Sequence, residues 1–394
     1  MNILWFSNAP WTHTGYGNQT DLFWWRIQKL GHKVTLAANY GLAGATLNLE
    51  HDGELTKVLP FGYNSNGNDV LAFHAKYTKA DIVITLYDAW VFDPKTMSQF
   101  RWCPWLPVDH VGVPDAVKAA LSVAWQPIVY SRFALNAMKQ AGIDALYVPH
   151  GVDTKVFRPL DKMEARKTLN LPRTDVDFLA VMVAANKGTP SRKCFAEVLF
   201  AWADFIKEHP KAMLFLHTTS GPQMSGLDLP QITHNLGLTG EHVVFCDPYW
   251  NVLGFPPEFM ARLYNAADVL VNPSMGEGFG IPILEAQACG TPVIVGDWTS
   301  MPELCFAGWK VRGQPFWTPL GGWQMLPFIH DIRKYLERAY RASQSQEFSV
   351  MQRKAIGGAA AYDADRVTEE YWQPVLKTIE RDLSVGLIAV GDTV

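Results

Sequence analysis

The sequence contains few cysteines, and their spacing argues against two common kinds of stabilising site. Five cysteines are spread over 394 residues, and none of them forms a Cys-x-x-Cys or Cys-x-His pair. An odd number of widely spaced cysteines is untypical both of disulfide frameworks in small secreted domains and of structural zinc sites. We therefore predict that the cysteines are buried thiols in a reducing compartment.

Long apolar runs and an excess of one charge are also lacking. No run approaches the roughly 20 apolar residues of a membrane-spanning helix, and no basic residue precedes the short apolar start, Asn2–Phe6. We expect no transmembrane segment and a cytoplasmic location. The 34 basic and 38 acidic residues give a formal net charge of −4. This balance excludes a polybasic protein that coats nucleic acid, although it allows a local basic groove.

Hydrophobic residues, by contrast, are abundant. They make up 48% of the chain, and 15 of them are tryptophans. A chain of this length and composition can form two cores, so two domains are expected. The pattern breaks at Pro149–Asp153 and in the charged stretch Asp161–Arg173. We predict an N-terminal acceptor-side domain (residues 1–155), a C-terminal domain (residues 156–364), and a terminal helix and tail (residues 365–394) that return toward the N-terminal domain.

Short apolar runs alternate with amphipathic stretches in both halves, which is typical of α/β, Rossmann-like domains with mainly parallel sheets. Buried strands are predicted at Asn2–Phe6, Lys33–Ala38, Asp81–Leu86, Trp102–Val108, Pro127–Tyr130, Ala145–Val148, Phe178–Ala184, Ala212–His217, Val243–Cys246, Val269–Asn272 and Pro292–Val295. Helices are predicted at Asn18–Leu30, Arg132–Gln140, Arg192–Glu208, Glu258–Asn265, Ile281–Cys289, Ile329–Ala342 and Asp365–Leu383. Two such domains that face each other leave a deep cleft at the carboxyl ends of both sheets, where ligands bind.

A first glycine-rich turn follows the first predicted strand and opens a helix. Gly15 and Gly17 allow the backbone to approach a phosphate or a sugar, and the helix N-terminus favours an anion. The third glycine and the acidic residue that a dinucleotide fingerprint requires are missing, so NAD is not the expected ligand. We interpret the two glycines as donor-binding residues, with a tight structural turn as the alternative.

A second glycine-rich turn carries the strongest signal. It follows a predicted strand and leads through three glycines into a helix that contains Glu285. Free N–H groups and the helix dipole can hold phosphate oxygens, while carboxylates can bind sugar hydroxyl groups. We therefore predict a nucleotide-sugar site, with a glycine-rich loop that holds two solvated acids as the alternative. Its residues are Glu277, Gly278, Phe279, Gly280, Ile281 and Glu285.

This segment resembles the Glu-x7-Glu signature of retaining GT-B glycosyltransferases of family 4 (glycosyl transferases group 1). The flanking stretches Leu263–Leu270 and Met301–Leu304 agree with that family. Pro149–Asp153 resembles its interdomain stretch and Thr14–Gly17 its N-terminal loop, so the resemblance covers nearly the whole chain. It implies a GT-B fold, a hexosyltransferase that retains the anomeric configuration, and a nucleotide-diphosphate sugar donor, with UDP the nucleotide that the family most often uses.

The resemblance also implies which cations meet the donor diphosphate. Lys193 matches the family lysine, but the family arginine position is not arginine here, so Lys187 or Arg192 would supply the second cation. Cations suit a leaving group whose negative charge grows in the transition state. A solvated helix start is the alternative for this stretch.

Further candidate residues follow from the same resemblance. His110, beside Asp109, matches a histidine that faces the donor sugar, with a structural histidine as the alternative. Glu277 would hold hydroxyl groups of the donor sugar, and Glu285 would bind the ribose.

Two more stretches of the sequence bear on the nucleotide base and on a possible metal ion. The family binds its nucleotide base near the loop that holds Tyr249 and Trp250, which could cover the base or simply pack in the core. Asp363-Ala364-Asp365 imitates a metal-binding Asp-x-Asp motif, but we interpret it as a helix cap. No catalytic metal and no cofactor besides the nucleotide-sugar co-substrate are expected.

The acceptor is expected to contact the N-terminal domain. Residues 1–155 hold 12 basic and 12 acidic residues and eight tryptophans. Trp11, Tyr87, Asp88 and Trp90 follow predicted strands and are the acceptor-side candidates. A neutral, aromatic-lined surface suits a hydroxylated acceptor such as a glycan, a lipid-linked sugar or a small molecule. A hydroxymethylated base in DNA is a less favoured alternative, since it would require cations for the phosphates and room for a flipped nucleotide.

Other functions remain compatible with these residues. A nucleotide-sugar epimerase would convert the donor without an acceptor, and a phosphorylase would need inorganic phosphate. A binding protein without catalysis would bind the donor but neither hydrolyse nor transfer its sugar. The intact set of Glu277, Glu285 and Lys193 favours the transferase.

Overall fold

The computed structural model describes residues 1–391, with side chains described for residues 1–385, and the chain divides into two units. Unit 1 comprises Met1–Val108, Gly112–Gly151 and the described residues from Tyr362 onward. Unit 2 comprises Asp109–Val111 and Val152–Ala361. The sequence placed the divisions slightly later, after residues 155 and 364, and the end of the predicted tail lies outside the described residues.

Unit 1 is built on one eight-stranded sheet. Its strands are β1 (Asn2–Asn8), β2 (Lys33–Tyr40), β3 (Leu47–His51), β4 (Glu54–Leu59), β5 (Ile82–Leu86), β6 (Trp102–Leu106), β7 (Ile128–Val129) and β8 (Leu146–Tyr147). Its first five helices are α1 (Gly15–Lys29), α2 (Leu71–Thr78), α3 (Pro94–Met97), α4 (Asp115–Leu121) and α5 (Arg132–Gln140). The sheet order is β3-β4-β2-β1-β5-β6-β7-β8. Only the β3–β4 pair is antiparallel, so the predicted parallel strands are all present.

The β3–β4 hairpin was not predicted. β3 is mainly exposed, and in β4 buried residues (Thr56, Val58 and Leu59) are interrupted by exposed ones, so neither strand forms a continuous apolar run like those of the predicted strands. Their turn is Asp52-Gly53, and both residues have positive φ, 50° and 81°. Asp-Gly is a favoured pair for such a two-residue hairpin turn, so the turn signal was present in the sequence.

Unit 2 is built on a second sheet. Its helices are α6 (Lys162–Lys167), α7 (Phe195–Phe205), α8 (Leu229–Asn235), α9 (Pro248–Leu253), α10 (Pro257–Ala266), α11 (Ile281–Ala288), α12 (Ile329–Ser343) and α13 (Glu347–Ala359). Its strands are β9 (Phe178–Val183), β10 (Ala212–His217), β11 (Val243–Phe245), β12 (Val269–Asn272), β13 (Val293–Gly296), β14 (Gly308–Val311), β15 (Gly313–Trp317) and β16 (Trp323–Pro327). Six strands form a parallel sheet in the order β11-β10-β9-β12-β13-β14. β15 and β16 form a separate antiparallel hairpin.

Two predictions for unit 2 need correction. The predicted helix Arg192–Glu208 begins only at Phe195, because Ser191–Cys194 form a turn in which Cys194 has a φ of 59°. Asp109–Val111 belong to unit 2 and not to the N-terminal domain. The reason is a backbone pairing: the Val111 N–H donates to the Trp323 carbonyl at 2.8 Å, and the Trp323 N–H donates back at 3.1 Å.

The last part of the chain completes unit 1. It forms α14 (Ala364–Val367), a π-helical turn at Thr368–Trp372, and α15 (Gln373–Gly391), where a single helix was predicted. The buried Trp372 ring lies 5.6 Å from the Trp5 ring and 4.9 Å from the Trp105 ring, measured between centroids. Arg26 forms an ion pair with Asp365 at 2.7 Å. The terminal helices therefore share a core with the first strands.

The predicted burial is confirmed for four of the five cysteines. All five cysteines are free thiols, with Cys305 half-buried and the other four buried. Burial raises the pKa of Cys246 and of Cys305 to about 11, so neither is a thiolate at neutral pH. Among the described residues, no helix is both long enough and apolar enough to cross a bilayer.

Candidate functional site

Glu277 lies in the glycine-rich turn between β12 and α11, at the carboxyl edge of the sheet of unit 2. Its Oε1 atom forms an ion pair with the ammonium group of Lys193, and Oε2 lies 3.4 Å from Nη1 of Arg192. Arg192 also donates to the carbonyl oxygen of Gly276, and its own carbonyl accepts from the Met275 N–H at 2.8 Å. The turn before α7 and the turn before α11 are thus joined through both side chains and backbone.

The electrostatics of this pair favour an ionised carboxylate. Burial by itself would raise the pKa of Glu277, but the charges of Lys193 and Arg192 outweigh burial and lower that pKa below its usual range. Burial lowers the pKa of Lys193, and the attraction of Glu277 offsets only part of this effect. The site therefore holds a fixed carboxylate that is flanked by two basic side chains.

Hydroxyl groups that the sequence analysis missed hold the Glu277 turn in place. The Glu277 N–H donates to Oγ1 of Thr299 at 3.0 Å. The Ser300 hydroxyl lies 2.8 Å from the carbonyl oxygens of both Glu277 and Phe279. Thr299 and Ser300 lie in the loop that follows β13, three and four residues after its last residue, so two adjacent hydroxyl residues in the loop after a buried strand were the available signal.

The rest of the turn leads into α11. Gly280, directly before the helix, has a φ of 107°, a conformation that glycine adopts without strain. Phe279 is buried, while Gly278, Gly280 and Ile281 are half-buried. The predicted donor-binding turn therefore leaves backbone accessible on both sides of one buried aromatic ring.

Asp109 and His110 lie against the same turn. Nδ1 of His110 is 2.7 Å from Oδ1 of Asp109, and Oδ2 of Asp109 is 3.7 Å from Nη1 of Arg192. Burial would raise the pKa of Asp109, but the hydrogen bond from His110 and the charge of Arg192 lower it overall. Because the carboxylate can only accept, Nδ1 of His110 donates, which leaves Nε2 as the second functional atom of the ring.

Backbone contacts hold this segment at a fixed distance from the Glu277 turn. A Cβ atom on Gly276 would lie 2.3 Å from the carbonyl oxygen of Asp109, so only glycine fits there. The side-chain amide of Gln324 donates to the same carbonyl at 3.3 Å. The structure thus brings together the four predicted catalytic residues, which are Glu277, Lys193, His110 and Asp109.

Glu285 forms a separate buried pair on α11. Oε2 of Glu285 accepts a hydrogen bond from the hydroxyl group of Tyr264, on α10, at 2.8 Å. Burial raises the pKa of Glu285 to about 7, and the hydrogen bond from Tyr264 opposes this shift only in part. The two carboxylates of the signature therefore differ in charge near neutral pH, because cations flank only Glu277.

The other donor-side candidates of unit 2 lie on loops at the same sheet edge. Lys187 is exposed, next to Asn186, whose side chain bonds three carbonyl groups of the loop after β10: those of Thr219, Gly221 and Leu227. Tyr249 and Trp250 lie on α9 and are 68% and 53% exposed. Core packing, the alternative for these two rings, is therefore wrong.

Gly15 and Gly17, the glycines of the first glycine-rich turn, lie in unit 1. Local packing explains why position 17 is a glycine. A Cβ atom on Gly17 would lie 2.3 Å from the carbonyl oxygen of Thr12, and the Gly17 N–H donates to Oγ1 of Thr14, which caps α1. The structural-turn alternative thus accounts for Gly17. Gly15 is the first residue of α1 and is exposed.

The acceptor-side candidates gather where β1 and β5, neighbours in the sheet, end. Trp11 is 40% exposed, and its indole N–H donates to the carbonyl of Gly41 at 2.9 Å. The ring of Tyr87 lies 5.5 Å from that of Tyr16, and Asp88 beside it is half-buried. Trp90 is 46% exposed. This edge of unit 1 is therefore mainly aromatic.

Two further groups of carboxylates have structural partners. Asp363 caps α14 by accepting from the N–H groups of Asp365 and Arg366, as predicted. Within the part of the chain that the structure describes, Glu208, His209 and Glu337 bring three possible metal ligands within 4.8 Å. Arg333 lies 3.4 Å from Glu337 and 3.1 Å from Glu208, so this group is better described as an ion-pair network.

Comparisons with known proteins agree with this geometry. Residues 183–315 match the family described as glycosyl transferases group 1. A D-inositol 3-phosphate glycosyltransferase of Acidothermus cellulolyticus is 34% identical over 153 residues, which are 37% of this chain and 32% of that protein. A D-inositol 3-phosphate glycosyltransferase 2 of Catenulispora acidiphila is 36% identical over 146 residues, 36% of this chain and 32% of that protein. The matched stretch thus covers about a third of these relatives' length.

Solved structures resemble the chain over almost its whole length. A sucrose-phosphate synthase from Thermosynechococcus elongatus superposes with a TM-score of 0.74 at 19% identity, covering 98% of this chain and 99% of that one. Anabaena HepE in complex with UDP and glucose gives a TM-score of 0.67 at 16% identity, covering 97% and 100%. Two Rossmann-like units and these likenesses identify the GT-B fold. This chain therefore has the GT-B fold, and its residues 183–315, which carry Glu277, Glu285 and Lys193, match the family described as glycosyl transferases group 1.

Proposed function

We propose that this protein is a retaining glycosyltransferase that moves a sugar from a nucleotide-diphosphate donor, preferably a UDP-sugar, to a hydroxyl group of an acceptor. The observation that carries the proposal is the Glu277 carboxylate, which Lys193 and Arg192 flank at the turn before α11. A buried carboxylate beside two cations can bind sugar hydroxyl groups while the cations face an anionic leaving group.

The division of roles follows from charge. The donor's glycosidic bond to the diphosphate breaks while the acceptor oxygen bonds to the same anomeric carbon. Lys193 and Arg192 stabilise the negative charge that develops on the leaving diphosphate. The acceptor proton passes to a phosphate oxygen of that leaving group. Glu277 orients donor hydroxyl groups, and His110, held by Asp109, offers Nε2 to the donor sugar.

The nucleotide part of the donor is assigned to the other loops of unit 2. In this proposal Glu285 binds the ribose, and the base stacks on the exposed rings of Tyr249 and Trp250. Lys187 is a second candidate for the diphosphate. We favour UDP as the nucleotide because two similar solved structures contain UDP-sugars. HepE was solved with UDP-glucose, and an Escherichia coli protein was solved bound with UDP-2-fluoro glucose.

The acceptor we favour is a neutral hydroxylated molecule, such as a glycan or a small polyol. The curated relatives are named for D-inositol 3-phosphate, a polyol that carries one phosphate, so their name supports a hydroxylated acceptor but not its neutrality. Aromatic side chains dominate the acceptor-side candidates of unit 1, whereas a DNA acceptor would need phosphate-neutralising cations.

The test is turnover of candidate donors by the wild type and by Glu277→Ala, with the exposed Glu241→Ala as a matched control. UDP-glucose, UDP-N-acetylglucosamine, GDP-mannose and ADP-glucose are first ranked by their effect on the melting temperature, since a ligand of the folded state raises it. We expect slow hydrolysis of one donor, loss of this activity in Glu277→Ala, and a product of unchanged anomeric configuration by NMR. Near wild-type turnover by folded Glu277→Ala would refute the assignment.

A further inference from the structure

The β15–β16 hairpin exposes two tryptophans that the sequence analysis did not select. Trp317 is 55% exposed and Trp323 is 44% exposed, and they are opposite each other in the hairpin register. Their ring centroids are 5.0 Å apart and their planes meet at 72°. We call these two rings the tryptophan corner, because the edge of one indole meets the face of the other.

The tryptophan corner is attached to the candidate catalytic residues through β16. The Trp323 backbone pairs with Val111, next in the chain to His110. A Cβ atom on Gly322, next to Trp323, would lie 2.7 Å from Cβ of His110. Trp323 follows Gly322 directly, so its Cα atom lies about 3.8 Å from that of the residue that contacts His110.

Two further hydrogen bonds hold β16 next to the candidate catalytic residues. The Gln324 side chain donates to the Asp109 carbonyl at 3.3 Å, and the Met325 N–H donates to the Met275 carbonyl at 2.9 Å. The corner therefore has a fixed position relative to both the Asp109–His110 segment and the Glu277 turn.

We propose that the tryptophan corner is a saccharide subsite that holds a sugar ring of the acceptor beside His110. The proposal rests on the proposed glycosyltransferase function and commits it to a carbohydrate acceptor. A pyranose ring has an apolar C–H face that packs on an indole, and exposed aromatic clusters of this kind usually mark interaction sites. A ring stacked on one indole would touch the edge of the other.

The charge of the hairpin favours a neutral ligand. Residues 313–327 contain no Asp, Glu, Lys or Arg. The nearest basic side chain in sequence, Arg312, is paired with Asp331 at 2.8 Å. Nucleic acids and anionic lipid surfaces are bound mainly through cations, so this uncharged surface does not suit them.

Mutual packing of the two tryptophans also contributes to hairpin stability, as cross-strand aromatic pairs do. The hairpin, however, is already anchored by the Val111 pairing and by the bond to Met275. A purely structural pair predicts that substitution lowers the melting temperature and leaves ligand binding unchanged. A subsite predicts loss of ligand binding in a protein that remains folded.

The experiment uses the full chain and the neutral probes maltotriose, cellotriose and chitotriose. Binding is measured by saturation-transfer NMR and tryptophan fluorescence for wild type, Trp317→Ala, Trp323→Ala and Trp317→Phe. Trp125→Ala is the matched control, since Trp125 is a 36% exposed tryptophan of unit 1. We expect at least one trisaccharide to bind, at least tenfold weaker binding in both alanine variants, partial rescue by Trp317→Phe, and no change in Trp125→Ala.

Donor hydrolysis, measured on the same proteins, separates this proposal from the proposed function. Donor hydrolysis by the wild type is the reference, because we assign the corner to the acceptor and not to the donor. If the wild type hydrolyses a donor but no trisaccharide binds, or all variants bind equally well, the subsite is refuted and the transferase stands. If binding depends on the corner but no donor is hydrolysed, the subsite stands and the transferase is refuted. Corner-dependent binding of hydroxymethylated duplex DNA instead of a saccharide would overturn the ligand class.

Discussion

The carboxyl edges of the two sheets differ in chemistry although both units have a Rossmann-like topology. The edge of unit 1 presents aromatic rings, Trp11, Tyr87 and Trp90. The edge of unit 2 presents a buried ionic group in which Lys193 and Glu277 are paired. The strands that carry these loops are alike, so the difference comes from the residues that follow each strand. The contrast shows that the loops set the function while the sheets supply the frame.

The same contrast explains why tryptophan content alone was ambiguous. Trp5, Trp24, Trp102 and Trp105 are fully buried in unit 1, whereas Trp11 and Trp90 are exposed. Buried indoles fill the core, and exposed ones are available to a ligand. Variants of the two edges should therefore differ in what they change: catalysis at the ionic edge, and acceptor affinity at the aromatic edge.

The largest effect is expected from Lys193→Gln. Loss of one preorganised cation at a developing negative charge typically lowers kcat by 100-fold to 1,000-fold, or about 2.7–4 kcal/mol. Steady-state kinetics with the preferred donor measure this loss. Lys207→Gln is the control, because the Lys207 side chain is 72% exposed and pairs only at the surface, with Asp204 at 3.2 Å. An unchanged kcat in Lys193→Gln would remove the ionic edge from the mechanism.

Glu285→Gln should change the pH dependence of stability. With a pKa of about 7 against an ordinary value of 4.5, folded Glu285 binds more protons than the unfolded chain between these pH values. The contribution of Glu285 to stability should therefore fall as pH rises from 4.5 to 7 and then level off, by about 3 kcal/mol at 1.36 kcal/mol per pKa unit.

Glu285→Gln keeps the acceptor for Tyr264 and removes this titration. Urea unfolding of both proteins at pH 5 and pH 8 gives the comparison, and the variant should gain relative stability at pH 8. Equal pH profiles would contradict the raised pKa. Glu241→Gln, a change at an exposed carboxylate, should follow the wild-type profile.

Gly276→Ala tests the fixed spacing of the ionic edge. The new Cβ atom would lie 2.3 Å from the Asp109 carbonyl, so the turn must shift, at a cost of about 1–3 kcal/mol in the free energy of unfolding. We expect catalytic activity to fall by more than the loss of folded protein explains, because Asp109 and Arg192 lose their alignment. Gly240→Ala is the control, since no atom lies within 4 Å of its added Cβ. Equal melting temperatures for the two variants would contradict the close approach.

The smallest effect is expected from Trp90→Ala at the aromatic edge. Trp90 is 46% exposed, so the free energy of unfolding should change by about 0.5 kcal/mol or less. The KM for the acceptor should rise while donor hydrolysis stays constant. Trp105→Ala, a fully buried tryptophan of the same unit, should instead cost about 3–5 kcal/mol. A change in donor hydrolysis in Trp90→Ala would show that the two edges do not divide donor and acceptor as proposed.

Much of the fold could be predicted because the positions of its strands and helices follow from local sequence patterns. Apolar runs located the parallel strands except β4 and β14, and the spacing of Glu277 and Glu285 located the turn before α11. The predicted start of α7 was wrong because Cys194 adopts a left-handed conformation. The residue types at positions 193 and 194 do not signal this conformation.

Contacts between segments distant in sequence could not be predicted. The pairing of Val111 with Trp323 joins two segments of the chain far apart in sequence, and neither carries a pattern that names its partner. The same holds for Gly276, whose need for glycine arises from the Asp109 carbonyl. Raised pKa values, such as that of Glu285, likewise depend on burial, which spacing does not report.

The position of Trp372 between Trp5 and Trp105 has a consequence for biosynthesis. A ribosome makes residues 152–361 before it makes Trp372, so all of unit 2 is available to fold while unit 1 still lacks part of its aromatic core. The unit that is started first is therefore the one completed last. A nascent chain that is released early would carry a finished unit 2 and an unfinished unit 1.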